Sequence, residues 1–261
     1  MAEVIVIKIG GATLGSNDTT VEDIVALQQQ GKRPVVVHGG GKLITEWLGK
    51  QKITTQFVRG ERVTDKTTLE VATAVLAGLN NKELVAAINN LGGRAVGICG
   101  VDGALLQVRM SNAELGYVGE VMKVDTALLE ALLQSGYVPV VATVGLHAFD
   151  RADEAPQILN INGDLAAGEI AAAIGAERLI FLTDVAGVGD KSGKLLPRLS
   201  TSEAEALIAA GVASGGMIPK IKACVRALTT EVTTCIIDGR QPHALLREIK
   251  GQGGGTRIYK V

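Results

Sequence analysis

Lys8 sits inside the aliphatic run Val4-Ile5-Val6-Ile7-Lys8-Ile9, directly before Gly10-Gly11. A buried ammonium without a partner is costly or loses its proton, so such a lysine needs an anion beside it. The alternative is an edge strand with Lys8 in solvent. Lys220 follows Pro219, a residue suited to a first helical turn, and a cation there opposes the helix dipole. A bound phosphate would reverse the sign of that effect. Asp164 opens an alanine-rich helical stretch, where a carboxylate suits the dipole on its own account. Val35-Val36-Val37-His38-Gly39-Gly40-Gly41 reads as a strand, a tight turn and a helix N-terminus. Such a turn is either structural or a cradle whose backbone N–H groups approach an anion closely. Arg62, in the polar loop Gly60-Glu61-Arg62-Val63-Thr64-Asp65, carries the planar fork that grips a carboxylate, although surface arginines are common. Two lysines placed against local stability, beside repeated glycine turns, point to a polyanion such as ATP and to charge neutralisation in phosphoryl transfer.

The elements that must position these groups alternate between strands and helices. Aliphatic runs over residues 4–9, 35–38, 94–99, 137–144, 179–184 and 233–238 read as buried strands. Helical patterns cover residues 67–79, 125–134, 165–174 and 203–210 among others, and Thr19-Thr20-Val21-Glu22 fits a capping box. Residues 105–108 and 118–124 read as shorter, antiparallel pieces. The class is therefore α/β with a mainly parallel central sheet between helical layers, and its ligands belong at the carboxyl ends of the strands.

The 261 residues are 47% hydrophobic but only 3% aromatic, which describes a core of Val, Ile, Leu and Ala. A formal net charge of −1 leaves no electrostatic footprint for nucleic acid or an anionic membrane. Cys99, Cys224 and Cys235 lack any C-x-x-C pair, and His38, His147 and His243 are dispersed, so no protein-bound metal is expected. No signal-like leader or stretch of membrane-span length is read, which makes the expected compartment the cytoplasm. G-x-x-x-x-G-K-[ST], a G-x-G-x-x-G between strand and helix, and G-x-S-x-G are all missing.

The combination of Lys8 in Val4–Gly11, His38-Gly39-Gly40-Gly41, Arg62-Val63-Thr64-Asp65, Asn80-Asn81-Lys82, Asn160-Ile161-Asn162-Gly163-Asp164, Leu182-Thr183-Asp184-Val185 and Gly215–Lys220 resembles the amino acid kinase family. The similarity runs in order along essentially the whole chain, and the tail Asp238-Gly239-Arg240-Gln241-Pro242-His243 agrees with it. It implies a three-layer αβα sandwich, with residues 1–177 binding an acyl amino acid and residues 178–261 binding ATP. The implied reaction uses MgATP to phosphorylate the side-chain carboxylate of N-acetyl-L-glutamate, giving an acyl phosphate for arginine biosynthesis. On this resemblance Lys8 and Lys220 stabilise the transferring phosphoryl group and Asp164 holds both. Gly40 and Gly41 offer N–H donors, Arg62 clamps the α-carboxylate and Asn160 binds the substrate backbone. Gly10, Gly11, Thr183, Asp184 and Gly216 fall to ATP.

Two departures concern the acceptor: Glu61 stands where the family usually has an apolar residue, and Gly163 where alanine is common. They leave open a kinase of carrier-linked aminoadipate or glutamate, and a non-catalytic small-molecule sensor is the reading from another class. Because the chain starts almost at the Lys8 strand, the resemblance implies an arginine-insensitive homodimer.

Overall fold

A computed structural model describes residues 3–10, 19–58 and 60–260. Gly11 lies outside the described residues. The strands are β1 (Val4–Ile9), β2 (Arg33–His38), β3 (Phe57–Val58), β4 (Glu61–Arg62), β5 (Ala95–Gly100), β6 (Leu106–Met110), β7 (Val118–Val124), β8 (Val138–His147), β9 (Ile158–Ile161), β10 (Arg178–Thr183), β11 (Arg198–Ser200), β12 (Thr233–Asp238) and β13 (Thr256–Tyr259). The helices are α1 (Thr20–Gln29), α2 (Gly41–Lys50), α3 (Lys66–Thr73), α4 (Asn81–Asn90), α5 (Ala127–Gln134), α6 (Gly163–Ala173), α7 (Thr201–Ala209), α8 (Met217–Ala227) and α9 (Ala244–Ile249).

The sheet centre runs β12-β10-β1-β2-β8, with every neighbouring pair parallel. β5 also joins β8 in parallel, and β6 and β7 form the expected antiparallel pair. The sheet passes without a break from residues 1–177 to residues 178–261, because β1 pairs with β10 from Ile5–Arg178 to Ile9–Leu182.

The period of two along β1 decides what Lys8 can reach. Ile5, Ile7 and Ile9 belong to one apolar cluster with Ile24 and Leu27 of α1, Ile88 of α4 and Leu245 of α9. Val6 packs in the opposite layer, with Ala166 and Ile170 of α6, Ile221 of α8 and Leu129 of α5. Alternate strand residues face opposite sides, so Lys8 follows Val6 toward α6 and α8. These two helical layers enclose the sheet as the sequence leads one to expect.

Two expectations change. Thr19 makes no side-chain cap on α1; its hydroxyl accepts from the His243 backbone N–H at 2.7 Å and ties the start of α1 to the start of α9. In addition, α3, a π-helical segment (Ala74–Asn80) and α4 join into one run, Lys66–Asn90, of 25 residues, with an 18-residue stretch of mean hydropathy 1.2. That run is long and apolar enough to cross a membrane, contrary to the sequence reading. Its Leu69, Val71, Val75, Leu76, Leu84 and Ile88 are buried within this fold, which accounts for the apolar composition.

Candidate active site

Asp164 lies in the first turn of α6, whose N-cap is Asn162. The Asn162 side chain accepts from the backbone N–H groups of Asp164 and Leu165 at 2.9 and 3.3 Å, fixing the turn that carries the carboxylate. One carboxylate oxygen, Oδ1, lies 2.5 Å from Lys8 Nζ; the other, Oδ2, accepts from Lys220 Nζ at 3.0 Å. Burial pushes the Asp164 carboxyl up, but the adjacent Lys8 and Lys220 charges outweigh it and hold the group below the usual carboxylate range. One negative charge faces two positive ones, so the cluster has an excess cation in a largely water-free place. Lys220 Nζ also donates to the Gly216 carbonyl at 3.2 Å, which ties the ammonium to the glycine turn before α8.

Lys8, Gly40, Gly41, Arg62, Asn160 and Asp164 line one cavity of about 240 Å³. Arg62 Nη2 donates to the Gly41 carbonyl at 2.7 Å and to Thr45 Oγ1 at 2.9 Å, while its guanidinium lies 4.8 Å from the centre of the Phe57 ring. Nη1 of the same group is buried and has no hydrogen-bond partner among the described residues. Asn160 Nδ2 donates weakly to Thr64 Oγ1 at 3.3 Å. Glu61 lines the cavity too; burial pushes its carboxyl up and the Lys222 charge offsets part of that. At Gly163 an added Cβ would lie 3.4 Å from Lys8 Cε and 3.6 Å from Thr143 Cγ2, ordinary contacts, so an alanine would fit there.

The other described sequence-predicted residues, Gly10, Thr183, Asp184 and Gly216, do not line this cavity. Gly10 borders a second hollow of about 230 Å³, shared with His38, Gly39 and Gly40. Thr183 is buried at the end of β10, and its hydroxyl donates to the Val185 carbonyl at 2.9 Å and accepts from the Val185 N–H at 3.0 Å. Asp184 beside it is exposed. Thr183 and Asp184 border neither hollow. A larger cavity, about 940 Å³, opens near β11, β12 and β13 and contains none of the predicted residues. What the sequence reading missed is the surroundings of His38, a buried ring contacted by Asn80 and Asn81. The spacing of His38 and Asn80-Asn81 gives no hint of contact; only their joint presence in the family pattern marked them.

The fold and the site define a phosphotransferase class, and the chain belongs to the amino acid kinase family, whose model matches residues 3–238. At closer range, a protein of Dehalococcoides mccartyi named acetylglutamate kinase is 48% identical over 255 residues, covering 98% of this chain and 94% of that relative. The acetylglutamate kinase of Thermosynechococcus vestitus is 50% identical over 258 residues, covering 95% of this chain and 85% of its own length. Among solved structures, N-acetylglutamate synthase of Neisseria gonorrhoeae superposes with a TM-score of 0.83 at 28% identity, over 99% of this chain and 60% of that one. Carbamate kinase of Giardia lamblia, at 16% identity and a TM-score of 0.72 over 100% of this chain and 99% of its own, shares the fold.

Proposed function

We propose that this protein transfers the γ-phosphoryl group of ATP to the side-chain carboxylate of N-acetyl-L-glutamate, forming an acyl phosphate in arginine biosynthesis. The observation that carries this reading is the Lys8–Asp164–Lys220 cluster, whose Lys8 and Asp164 line a small cavity together with Arg62. The relatives named acetylglutamate kinase, similar over nearly their whole length, support the choice of acceptor.

A carboxylate is ionised at neutral pH and needs no general base. Its difficulty is repulsion from the polyphosphate, so orientation and charge neutralisation must do most of the catalysis. Lys8 and Lys220 supply positive charge to the oxygens of the phosphoryl group in transit, and Asp164 keeps both ammonium groups in place. Gly40 and Gly41 present backbone N–H groups to the acceptor and the phosphoryl group. Arg62 takes the α-carboxylate through Nη1, which has no partner among the described residues, and Asn160 takes the substrate backbone. The cavity, about 240 Å³, is below the ~300–1,000 Å³ of drug-sized ligand sites and suits a small acceptor.

In this reading residues 1–177 hold the acceptor and residues 178–261 hold ATP, with Gly10, Gly11, Thr183, Asp184 and Gly216 on the nucleotide side. Among the described residues no group of three His, Cys, Asp or Glu could hold a metal ion. In this reading Mg2+ arrives as part of the substrate, on the phosphate oxygens of ATP. The reading includes a homodimer working in the cytoplasm. The test is ADP release with N-acetyl-L-glutamate, glutamate and N-acetyl-aminoadipate offered separately. Turnover is expected with the first; turnover with none of them refutes the kinase reading.

A further inference from the structure

A turn of three glycines has no side chains to hold it, yet the chemistry above asks two of its N–H groups to point accurately. Gly40 is the N-cap of α2 and provides no side-chain cap. What fixes the turn comes from outside it. Asn80 Nδ2 donates to the Gly39 carbonyl at 2.6 Å, and His38 Nδ1 lies 3.0 Å from the same oxygen. Asn80 itself is the last residue of the π-helical segment, an irregularity often found at functional sites.

The hydrogen bonds assign the proton of the ring. Asn81 Nδ2 donates to the Val140 carbonyl at 2.8 Å and lies 3.1 Å from His38 Nε2, so Nε2 must accept. The ring proton then sits on Nδ1 and points at the Gly39 oxygen. Asn80 Nδ2 also lies 3.1 Å from that nitrogen, because two donors converge on one carbonyl. Asn81 is itself fixed: its Oδ1 accepts from Lys82 Nζ at 3.0 Å, and a Cβ added at Gly97 would lie 1.9 Å from that oxygen, so only glycine leaves it room.

We infer that His38, Asn80 and Asn81 form a positioning array that aims the Gly40 N–H at the phosphoryl group in transit. The peptide unit is planar and trans here, so its C=O and N–H point in opposite directions. His38 stands in register with Ile9 of β1, whose face meets α4, and borders one hollow with Asn80; Lys8, one residue earlier on β1, faces the opposite layer and borders the cavity with Asp164. Clamping the Gly39 oxygen toward the first therefore turns the Gly40 N–H toward the second. A donor fixed before the reaction stabilises transition-state charge without reorganisation, whereas a free glycine turn would have to find that orientation each time. The array touches no substrate and acts through the backbone. It gives the Asn80-Asn81 pair, which the kinase reading left without a role, a part in the reaction.

The inference rests on the phosphoryl-transfer reading, and its test separates the two. Steady-state kinetics with N-acetyl-L-glutamate and ATP are compared for the unaltered protein, Asn80→Asp, His38→Leu and His38→Asn, each checked by thermal melting. Asn80→Asp puts a carboxylate oxygen against the Gly39 carbonyl and keeps the shape. Its kcat is expected to fall at least about tenfold, short of the ~100-fold or more that follows outright loss of a transition-state donor, with both KM values within about threefold. His38→Leu falls likewise, while His38→Asn, which keeps a donor near the Nδ1 position, recovers most of the loss. Should His38→Leu not fold, Asn80→Asp alone decides. Unchanged kcat in a folded Asn80→Asp protein, or a rise in KM at constant kcat, overturns the array but leaves the kinase reading intact. No turnover by the unaltered protein overturns both.

Discussion

Lys8 and Lys220 are held by opposite oxygens of one buried carboxylate, that of Asp164. The first lysine is on the central strand β1, the second on α8, which packs against α6, and Asp164 at the start of α6 joins them. Replacing Asp164 by Asn keeps the shape and removes the charge that both ammonium groups share. Breaking a buried pair in this way costs about 3–5 kcal/mol, because it leaves buried charge without compensation. The Asp164→Asn protein is expected to lose about that much stability in urea unfolding and at least ~100-fold in kcat. Activity within tenfold of the unaltered protein contradicts a positioning role for Asp164.

The same relationship shows how far the sequence could be read. Lys8 stood out because its neighbours are aliphatic, and the alternation of β1 already decides which layer it faces. Lys220 stood out because Pro219 put it in a first helical turn. Neither observation could show that the two meet on Asp164, since that depends on how α6 and α8 pack. The strands β2, β10 and β12 were legible from the apolar runs at their centres. The two-residue strands β3 and β4 were not: they are too short to carry a period, although they place Arg62 and Phe57 at the cavity. The apparent capping box at Thr19 failed for a similar reason. A distant backbone group, that of His243, competes for the threonine hydroxyl, and local sequence does not contain it.

Arg62 is tested by Arg62→Lys. Lysine keeps one charge but loses the fork that reaches the Gly41 carbonyl and Thr45 together and leaves Nη1 for the ligand. A charged hydrogen bond contributes about 1.5–3 kcal/mol, so KM for the acceptor is expected to rise roughly 10- to 100-fold. KM for ATP is expected to stay within threefold. Equal increases for both substrates contradict an acceptor-side role.

Gly97 has a consequence at a distance. An alanine there would drive its Cβ into Asn81 Oδ1, and the amide that lies against His38 Nε2 must shift. Overpacking of this kind costs about 1–3 kcal/mol. Gly97→Ala is expected to lower the melting temperature accordingly and to reduce kcat through the displaced ring. A melting temperature equal to that of the unaltered protein means that Asn81 has more room than the packing implies.

His38 sets a pH dependence of stability. Burial lowers its pKa to about 4, with the Lys8 and Lys82 charges adding to the effect and the hydrogen bond to Gly39 opposing it. The unfolded chain takes up that proton near pH 6.5, the folded one only near pH 4. Stability from this group is therefore complete above pH 6.5 and is lost progressively as the pH falls toward 4, by up to about 3 kcal/mol. Urea unfolding between pH 7.5 and 5 is expected to show this slope, and His38→Gln is expected to flatten it. Identical slopes in the two proteins assign the acid sensitivity to other groups.

In the proposed reaction the γ-phosphoryl group ends on a side-chain carboxylate, with Lys8 and Lys220 carrying the charge in transit. An acyl phosphate reacts with hydroxylamine to give a hydroxamate, which can be measured beside ADP in one assay. Hydroxamate equal to ADP is expected with N-acetyl-L-glutamate as acceptor, and a loss of at least ~100-fold in both for Lys8→Ala and Lys220→Ala. ADP released without hydroxamate, or undiminished turnover in the two lysine variants, would contradict this reading.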